Sequence, residues 1–437
     1  MGSTSTPGRL HVLVAGGGIG GLAAAIALRK QGHEVEFRFL DGKCDVKEQK
    51  TFTDEEKAQW PSTWWLASRI DLHNALKQKA ASPDGPGVPV KIHTASGVDS
   101  VNCKIGSIVL SDGTTVTGDL VICADGIHSK TRRSVLGREV PLYGTGNACY
   151  RWLVPTSLLA EDPDTKMFVS MPGHFVQLAA GDRRIVFYPV AGGAVQNCAA
   201  FVPRGEVGEI KRGASGYDQS VNKEQFISHF TDFAQPLRRM LELAPEESIK
   251  LWDLLDMELQ PSFIKERAVL IGDAAHPLLP YLGQGAAQAI EDACALGVVF
   301  PPDTPAEEIP QRLELWQRIR KDRAWKIVED TRRRGREVDG AYNSPETRGI
   351  PLLGLGLLAL GLLLLGGGGL PLLNDLEQGW GVGANELVDL LAVLEDVEAG
   401  HGADAVLLRQ VGQRVDVDLG EVDFGHGLGP PVEVRRG

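Results

Sequence analysis

The chain has 437 residues and a formal net charge of −12 at pH 7, with 57 acidic residues against 45 lysines and arginines. This length is enough for two or three domains with their own cores. An acidic balance argues against a general nucleic-acid-binding protein, which would need a basic face. The six cysteines include no Cys-x-x-Cys pair, which indicates reduced thiols and no zinc site. The sequence shows no secretory signal pattern, so we expect a cytoplasmic protein. We also expect no bound metal.

The first predicted element is a strand, a glycine-rich turn and a helix near the amino terminus. Residues 12–14 form a short apolar run, which is typical of a parallel strand buried on both faces. The turn then matches Gly-x-Gly-x-x-Gly through Gly16, Gly18 and Gly21. In that pattern the first glycine permits a tight turn, the second lets the backbone approach a pyrophosphate, and the third lets helix and strand pack closely. A turn that serves packing alone is the alternative.

The second predicted strand, EVEFRF from residue 34, is where a ribose-binding acid is expected. Such an acid follows the glycines by about 20 residues, near the end of the strand. Glu36 comes early and Asp41 slightly late, and we choose Asp41. A turn residue before Gly42 is an equally good interpretation of Asp41.

Two further apolar runs end in glycine and aspartate. A helix over RIDLHNALKQKA, capped by Ser68, precedes short strands over residues 90–123, and the last strand leads into Asp125-Gly126. The strand RAVLIGD ends at Asp273, and the residues after it are mainly Gly, Ala and Pro until a helix resumes. A loop so poor in large side chains indicates something that the backbone must approach closely.

The middle and the end of the chain differ in composition. Residues 149–203 predict strands and hairpins, and residues 223–246, 285–299 and 304–335 predict helices. The basic run TRRRGR at 331–336 predicts a solvated helix face. Residues 349–437 contain no Lys, Ser, Thr, Cys, Met or Tyr, which indicates an atypical Leu/Gly-rich and then acidic tail, disordered or non-native. A membrane anchor over 349–373 is the less favoured alternative, since eight glycines interrupt it.

The three strand–turn segments and RIDLHNAL together resemble the FAD-binding aromatic hydroxylases, which are single-component flavoprotein monooxygenases. The salicylate hydroxylase-like branch is the most similar, and the resemblance covers residues 10–345. The specific signal is GDAAHP followed by GQGA, at the family's spacing after the first two turns. The resemblance implies an α/β fold with an FAD/NAD(P)-binding Rossmann-like domain and an interleaved α+β substrate domain. The first would take 8–145 and 250–345, and the substrate-binding sheet domain would take 146–249.

The resemblance also implies which residues bind the cofactor. Gly16, Gly18 and Gly21 would cradle the FAD pyrophosphate, and Arg69 would reach the cofactor from the start of its helix. With Asp41, these residues make up the amino-terminal part of the site.

Two later turns would complete the cofactor site. Asp125 would lie near the cofactor and the approach of the pyridine nucleotide, and Asp273 would bind the ribityl chain. Gly285 and Ala286 would begin a helix whose amino end faces the flavin. Exposed N–H groups there would stabilise the negative charge of the reduced ring.

The implied activity is hydroxylation of a small phenol or hydroxybenzoate with O2. NADPH or NADH would bind transiently as the reductant, since the chain has no second glycine-rich fingerprint. Family members commonly border the substrate with an arginine and a tyrosine from the middle sheet, which nominates Arg151 and Tyr188. A surface arginine and a core tyrosine are the alternatives.

The resemblance fails between the second strand and RIDLHNAL, where the family carries a longer insert. Residues 37–60 are too few and too charged to match it. We therefore keep two other hypotheses, a catalytically impaired flavoprotein remnant and a membrane-tethered epoxidase or hydroxylase of a lipophilic substrate.

Overall fold

The computed structural model describes residues 10–30, 34–38, 68–85, 87–170, 176–180, 182–210 and 221–336. Asp41 and the whole tail 349–437 lie outside these residues. Within the described ranges no helix combines the length and the apolar character that crossing a bilayer requires.

The described chain contains both strands and helices. The strands are β1 (His11–Ala15), β2 (Glu34–Arg38), β3 (Lys91–His93), β4 (Val98–Asn102), β5 (Ser107–Leu110), β6 (Thr115–Thr117), β7 (Leu120–Cys123), β8 (Tyr143–Pro155), β9 (Val176–Ala180), β10 (Arg183–Val190), β11 (Val195–Pro203), β12 (Lys250–Asp256), β13 (Ile264–Lys265) and β14 (Ala268–Leu270). The helices are α1 (Ile19–Lys30), α2 (Arg69–Ala81), α3 (Arg132–Leu136), α4 (Thr156–Glu161), α5 (Lys223–Ser228), α6 (Gln235–Glu242), α7 (Gly285–Val299) and α8 (Ile309–Arg336).

A six-stranded sheet has the order β13-β14-β7-β1-β2-β3, and all its pairs are parallel except β13 with β14. The apolar runs explain this arrangement, because Val12, Val14 and all of β7 are buried, as expected for parallel strands with both faces covered. The prediction of a Rossmann-like α/β fold is confirmed. Strands β4, β5 and β6 form a small antiparallel sheet beside it.

Helices α1 and α7 pack closely because both carry small residues. A side chain at Gly20 would lie 3.1 Å from the Cβ of Ala289, and one at Gly297 would lie 3.0 Å from the Cβ of Ala27. Each glycine therefore admits an alanine of the other helix. Helix α2 begins as predicted, since the hydroxyl of Ser68 accepts a hydrogen bond from a first-turn N–H.

A five-stranded antiparallel sheet has the order β12-β8-β11-β10-β9. It takes in β12, which begins at residue 250 and so extends past the predicted range 146–249. Helices α5 and α6 cover one face through an aromatic cluster. That cluster includes Tyr150, Trp152, Phe226 and Phe230. We call the opposite face the inner face, and Leu279 and Tyr281 from the loop before α7 pack on it.

The basic run at the end of α8 packs against the second sheet, so the predicted solvated face is wrong. The guanidinium of Arg332 donates from Nε to Asp256 Oδ2 at 2.7 Å and from Nη2 to Asp256 Oδ1 at 2.8 Å. Arg334 is also buried. The prediction fails because local composition does not reveal a buried carboxylate on a strand far away in sequence.

We expect Arg332→Ala to lower the free energy of unfolding by about 2–4 kcal/mol, because it leaves the Asp256 carboxylate buried without its cation. Arg333→Ala is the matched control. Arg333 pairs with Asp330 on the helix surface, and its loss should change stability by less than about 0.5 kcal/mol. Urea unfolding measures both, and equal losses would contradict the role assigned to Arg332.

Candidate cofactor and substrate site

Three neighbouring strands of the first sheet, β1, β7 and β14, end at the same level, and a loop follows each of them. Strand β7 pairs on one side with β1 and on the other with β14, and Ala15 and Leu270 both lie opposite Cys123. The ladder continues for one more bond on each side, from Ala124 N to the Ala15 oxygen at 2.7 Å and from Ile271 N to the Cys123 oxygen at 3.1 Å. The loops after β1, β7 and β14 therefore begin side by side. Ligands of open parallel sheets bind at this edge.

The glycines of the first loop differ in the space around them. Gly16 has φ +112°, and a side chain there would overlap the carbonyl oxygen of Ala124. A side chain at Gly21 would overlap the carbonyl oxygen of Gly16. Packing requires both. Among the described residues, no atom lies within 4 Å of the position that a Cβ at Gly18 would take, so they leave the space beside it open to a ligand.

Helix α2 connects the first loop to the third. His73 Nε2 lies 2.8 Å from the Gly17 carbonyl oxygen, and Nε2 is the donor because a carbonyl accepts. Burial raises the pKa of the Asp273 carboxyl, and Arg69, at the start of the same helix, lies close enough for its charge to oppose that rise. The motif RIDLH thus contacts one predicted loop and acts electrostatically on another.

The second loop is shaped by Asp125. Its Oδ2 accepts from Thr131 N at 3.0 Å, and its Oδ1 accepts from Thr131 Oγ1 at 2.8 Å. Both carboxylate oxygens therefore hold the turn before α3. Gly126, at φ +76°, makes the sharp bend between them possible.

Arg132 ties the second loop to the third. Its Nε donates to the Ala274 oxygen at 2.7 Å, and its Nη2 donates to the Asp273 oxygen at 3.1 Å and to the Ile127 oxygen at 2.9 Å. Burial lowers the pKa of this guanidinium, and the nearby Asp125 and Asp273 act in the opposite direction. Arg132 is not predicted from the sequence, because an arginine in the basic run SKTRR gives no sign of burial.

Asp273 is half-buried near the start of the third loop. Burial raises the pKa of its carboxyl, while the charges of His276, Arg69 and Arg132 act to lower it. A partly desolvated carboxylate with cations nearby can accept strong hydrogen bonds from the hydroxyls of a polar chain.

The amino end of α7 completes the edge. Gly283 has φ +64°, Gln284 precedes the first helical residue, and no acidic residue lies in the first turn. Gly285 and Ala286 are both partly exposed. The first N–H groups of a helix have no partner within the helix, and together with the positive end of the helix dipole they favour a negative charge at this position.

Arg151 and Tyr188 share the inner face of the second sheet. Arg151 lies opposite Ala199 and Tyr188 opposite Asn197, which places their backbones about 12 Å apart. Tyr188 is 1% exposed, and its oxygen accepts from Asn197 Nδ2 at 3.0 Å.

The guanidinium of half-buried Arg151 lies over the ring of Trp252, 5.5 Å from the centroid. Neither Trp252 nor Asn197 is predicted from the sequence. Strand register is what brings them to the two nominated residues, and a sequence does not show it.

These residues fit a bound FAD. The open space at Gly18 suits a pyrophosphate, the Asp273 carboxylate suits a polyol, and the amino end of α7 suits the anionic edge of a reduced flavin. In the described part of the chain, no group of three or more His, Cys, Asp or Glu side chains is placed to hold a metal. Asp41 cannot be placed relative to this edge, since it lies outside the described residues.

Comparison with known proteins gives matches at the levels of sequence and fold. A family model described as an FAD binding domain matches residues 93–331. Hispidin-3-hydroxylase from Neonothopanus nambi is 32% identical over 371 residues, which cover 72% of this chain and 86% of that protein. The alignment of 371 residues is longer than the 72% of this 437-residue chain that it covers. Within the aligned region, the relative therefore has residues that this chain lacks.

Two solved structures share the fold. A salicylate hydroxylase substrate complex matches with a TM-score of 0.58 and 23% identity, over 91% of this chain and 100% of that one. CtdE in complex with FAD and substrate 4 matches with a TM-score of 0.64 and 20% identity, over 78% and 94%.

Substitutions at Gly16 and Gly18 separate packing from ligand binding. Gly16→Ala should destabilise the FAD-free protein by about 3 kcal/mol or more, because the new methyl group overlaps Ala124 at a left-handed φ. Gly18→Ala should change stability by less than about 1 kcal/mol, yet weaken FAD binding about tenfold or more by filling the open space. Thermal unfolding and FAD titration test this pair, and a Gly18→Ala protein with wild-type FAD affinity would contradict it.

Proposed function

Because the chain belongs to the family of FAD-dependent monooxygenases, we propose that it hydroxylates a small phenol or hydroxybenzoate with NAD(P)H and O2. FAD, when bound, accepts two electrons from the nicotinamide and activates O2. One oxygen atom enters the aromatic ring, and the other leaves as water. The chain's own residues bind the ring, orient it and keep water away.

One observation carries this proposal: the inner face of the second sheet lies directly against the loop that leads into α7. Tyr281 of that loop accepts a hydrogen bond from Asn147 Nδ2 at 3.0 Å, and its ring lies 5.1 Å from the ring of Phe201. An aromatic substrate on this face would lie next to the end of α7 where the flavin is expected. Burial there raises the pKa of Tyr281 to about 12, which indicates a poorly hydrated seam.

Arg151 would bind the acidic group of the substrate. A guanidinium pairs with a carboxylate or phenolate through two parallel hydrogen bonds. Trp252 beneath it holds the guanidinium plane, so less conformational entropy is lost when an anion binds.

Tyr188 would orient the substrate hydroxyl. Asn197 donates to the Tyr188 oxygen, and this bond polarises the phenol so that its O–H becomes a stronger donor. A hydroxyl held in this way also supplies a route for the proton that a phenol loses as its ring becomes electron-rich.

A second candidate function is an FAD-binding protein that no longer hydroxylates. The longer alignment with hispidin-3-hydroxylase supports it, since this chain lacks part of what that relative has. The predicted short segment 37–60 is where we expect the loss, and residues 39–67 lie outside the described chain.

The two candidates differ in product formation. We expect the FAD-loaded protein to oxidise NADPH or NADH in the presence of one or more phenolic acids and to form hydroxylated product in near-equal amount. Hydrogen peroxide is measured in the same assay to separate oxygenation from uncoupled oxidation. A flavin-loaded protein that forms only peroxide, with every phenolic acid tested, would favour the second candidate.

Variants on the inner face test the substrate roles. Arg151→Ala should raise KM for a hydroxybenzoate about tenfold or more and raise KM for the matching phenol less, because only the hydroxybenzoate has a carboxylate that pairs with the guanidinium through two hydrogen bonds. Tyr188→Phe should lower kcat at least about tenfold, and it should lower the free energy of unfolding by about 1–3 kcal/mol because the buried Asn197 amide loses its acceptor. Arg183→Ala, on the other face of the same sheet, is the control for both. Unchanged coupled turnover in Arg151→Ala and Tyr188→Phe would remove these roles.

A further inference from the structure

A fully buried group of charged side chains lies behind the loop after β14, at the sheet edge where we expect FAD to bind. Glu291 and Asp292 are consecutive residues near the middle of α7, and each is 1% exposed or less. Arg320 of α8 is buried with them and contacts both carboxylates. Buried charges are costly unless they are paired, so each contact in this group has to serve the fold or the site.

Asp292 binds the third loop directly. Its Oδ2 accepts from Gly272 N at 2.9 Å and from His276 Nε2 at 2.7 Å, and its Oδ1 accepts from Arg320 Nε at 2.8 Å. Burial alone would raise the pKa of this carboxyl, but His276 and Arg320 outweigh it, so the pKa lies below its ordinary value. Asp292 is therefore an anion, and His276 Nε2 is the donor.

Glu291 has the same burial and a different set of partners. It accepts from Arg323 Nε at 2.7 Å and Nη2 at 2.8 Å, from Gln288 Nε2 at 2.9 Å, and from Arg320 Nη1. Among the described residues, none of its hydrogen bonds reaches the turn over 272–276. The important difference between the two neighbouring carboxylates is that Asp292 contacts the third loop and Glu291 does not, among the described residues.

The two bonds from Asp292 bracket Asp273. One goes to the residue before it, and the other goes to His276 three residues after it. Gly272 has φ +56°, a conformation with little intrinsic preference, so an outside anchor is what fixes the turn. A turn held at both ends loses less conformational entropy when it binds a ligand.

We propose that Asp292, held by Arg320, is a positioning residue for FAD. It keeps the turn that carries Asp273 in the conformation that binds the cofactor, although its own side chain lies behind that turn. The inference rests on the FAD site of the proposed function. It does not depend on which aromatic substrate the protein hydroxylates.

The first experiment compares Asp292→Asn with Glu291→Gln. Both remove one buried carboxylate from the same turn of α7, and both take one anion from Arg320, so both should lower the melting temperature of the FAD-free protein. Only Asp292→Asn should raise the Kd for FAD, by about tenfold or more, because it disrupts hydrogen bonds between the turn and a charged group. The rise in melting temperature on adding FAD should shrink in Asp292→Asn and persist in Glu291→Gln.

A second pair keeps the proposal testable if Asp292→Asn does not fold. His276→Gln retains an N–H donor that can reach Asp292, and His276→Leu removes it. We expect the Kd for FAD to stay near the wild-type value in His276→Gln and to rise about tenfold in His276→Leu. Quenching of FAD fluorescence gives the Kd for all four variants.

Four outcomes would overturn the positioning role, the proposed function or both. Equal effects of Asp292→Asn and Glu291→Gln on FAD affinity, or wild-type affinity in His276→Leu, would overturn the positioning role. A wild-type protein that binds no FAD overturns this role together with the proposed function. A protein that binds FAD, shows the expected differences and hydroxylates no phenol overturns the proposed function alone.

Discussion

The structure depends on the close approach of two backbone segments at the edge of a parallel sheet. Gly16 lies so near the carbonyl of Ala124 that no side chain fits, and this contact brings the loops after β1 and β7 together. Arg132 then joins the loop after β7 to the loop after β14 through carbonyl oxygens alone. Because the three strands end in one row, these contacts create a continuous ligand-binding edge from segments more than a hundred residues apart.

Charge is distributed in two layers around this edge. Nearest the edge, the amino end of α7, the partly exposed Arg69 and the buried Arg132 create a field that favours an anion. Below it, Asp292 and Arg320 are buried and paired, and they hold the loop from behind. A flavin that becomes negative on reduction needs the first layer, and a loop with a left-handed glycine needs the second. On the other side, the second sheet packs against the loop before α7 through Tyr281.

Much of this arrangement could be predicted from the sequence. The turn at Gly16, Gly18 and Gly21 and the apolar runs of β7 and β14 gave the parallel sheet, because such local patterns carry their own meaning. Arg132, Asp292 and Asn197 could not be assigned, because their roles come from contacts with distant parts of the chain. A signal for Asp292 was available: two acidic residues within the apolar stretch AAQAIEDACALG must find buried partners. The prediction of a solvated basic face at 331–336 was wrong for the same reason, since Asp256, the partner of Arg332, is distant in sequence.

If the three loops and the amino end of α7 bind one FAD together, FAD should protect all four segments at once. Hydrogen–deuterium exchange of the backbone, measured with and without FAD, shows whether it does. We expect FAD to slow exchange at residues 17–21, 126–131, 272–276 and 285–288 with one common dependence on FAD concentration. Protection confined to one of these segments, or different FAD affinities for different segments, would contradict it.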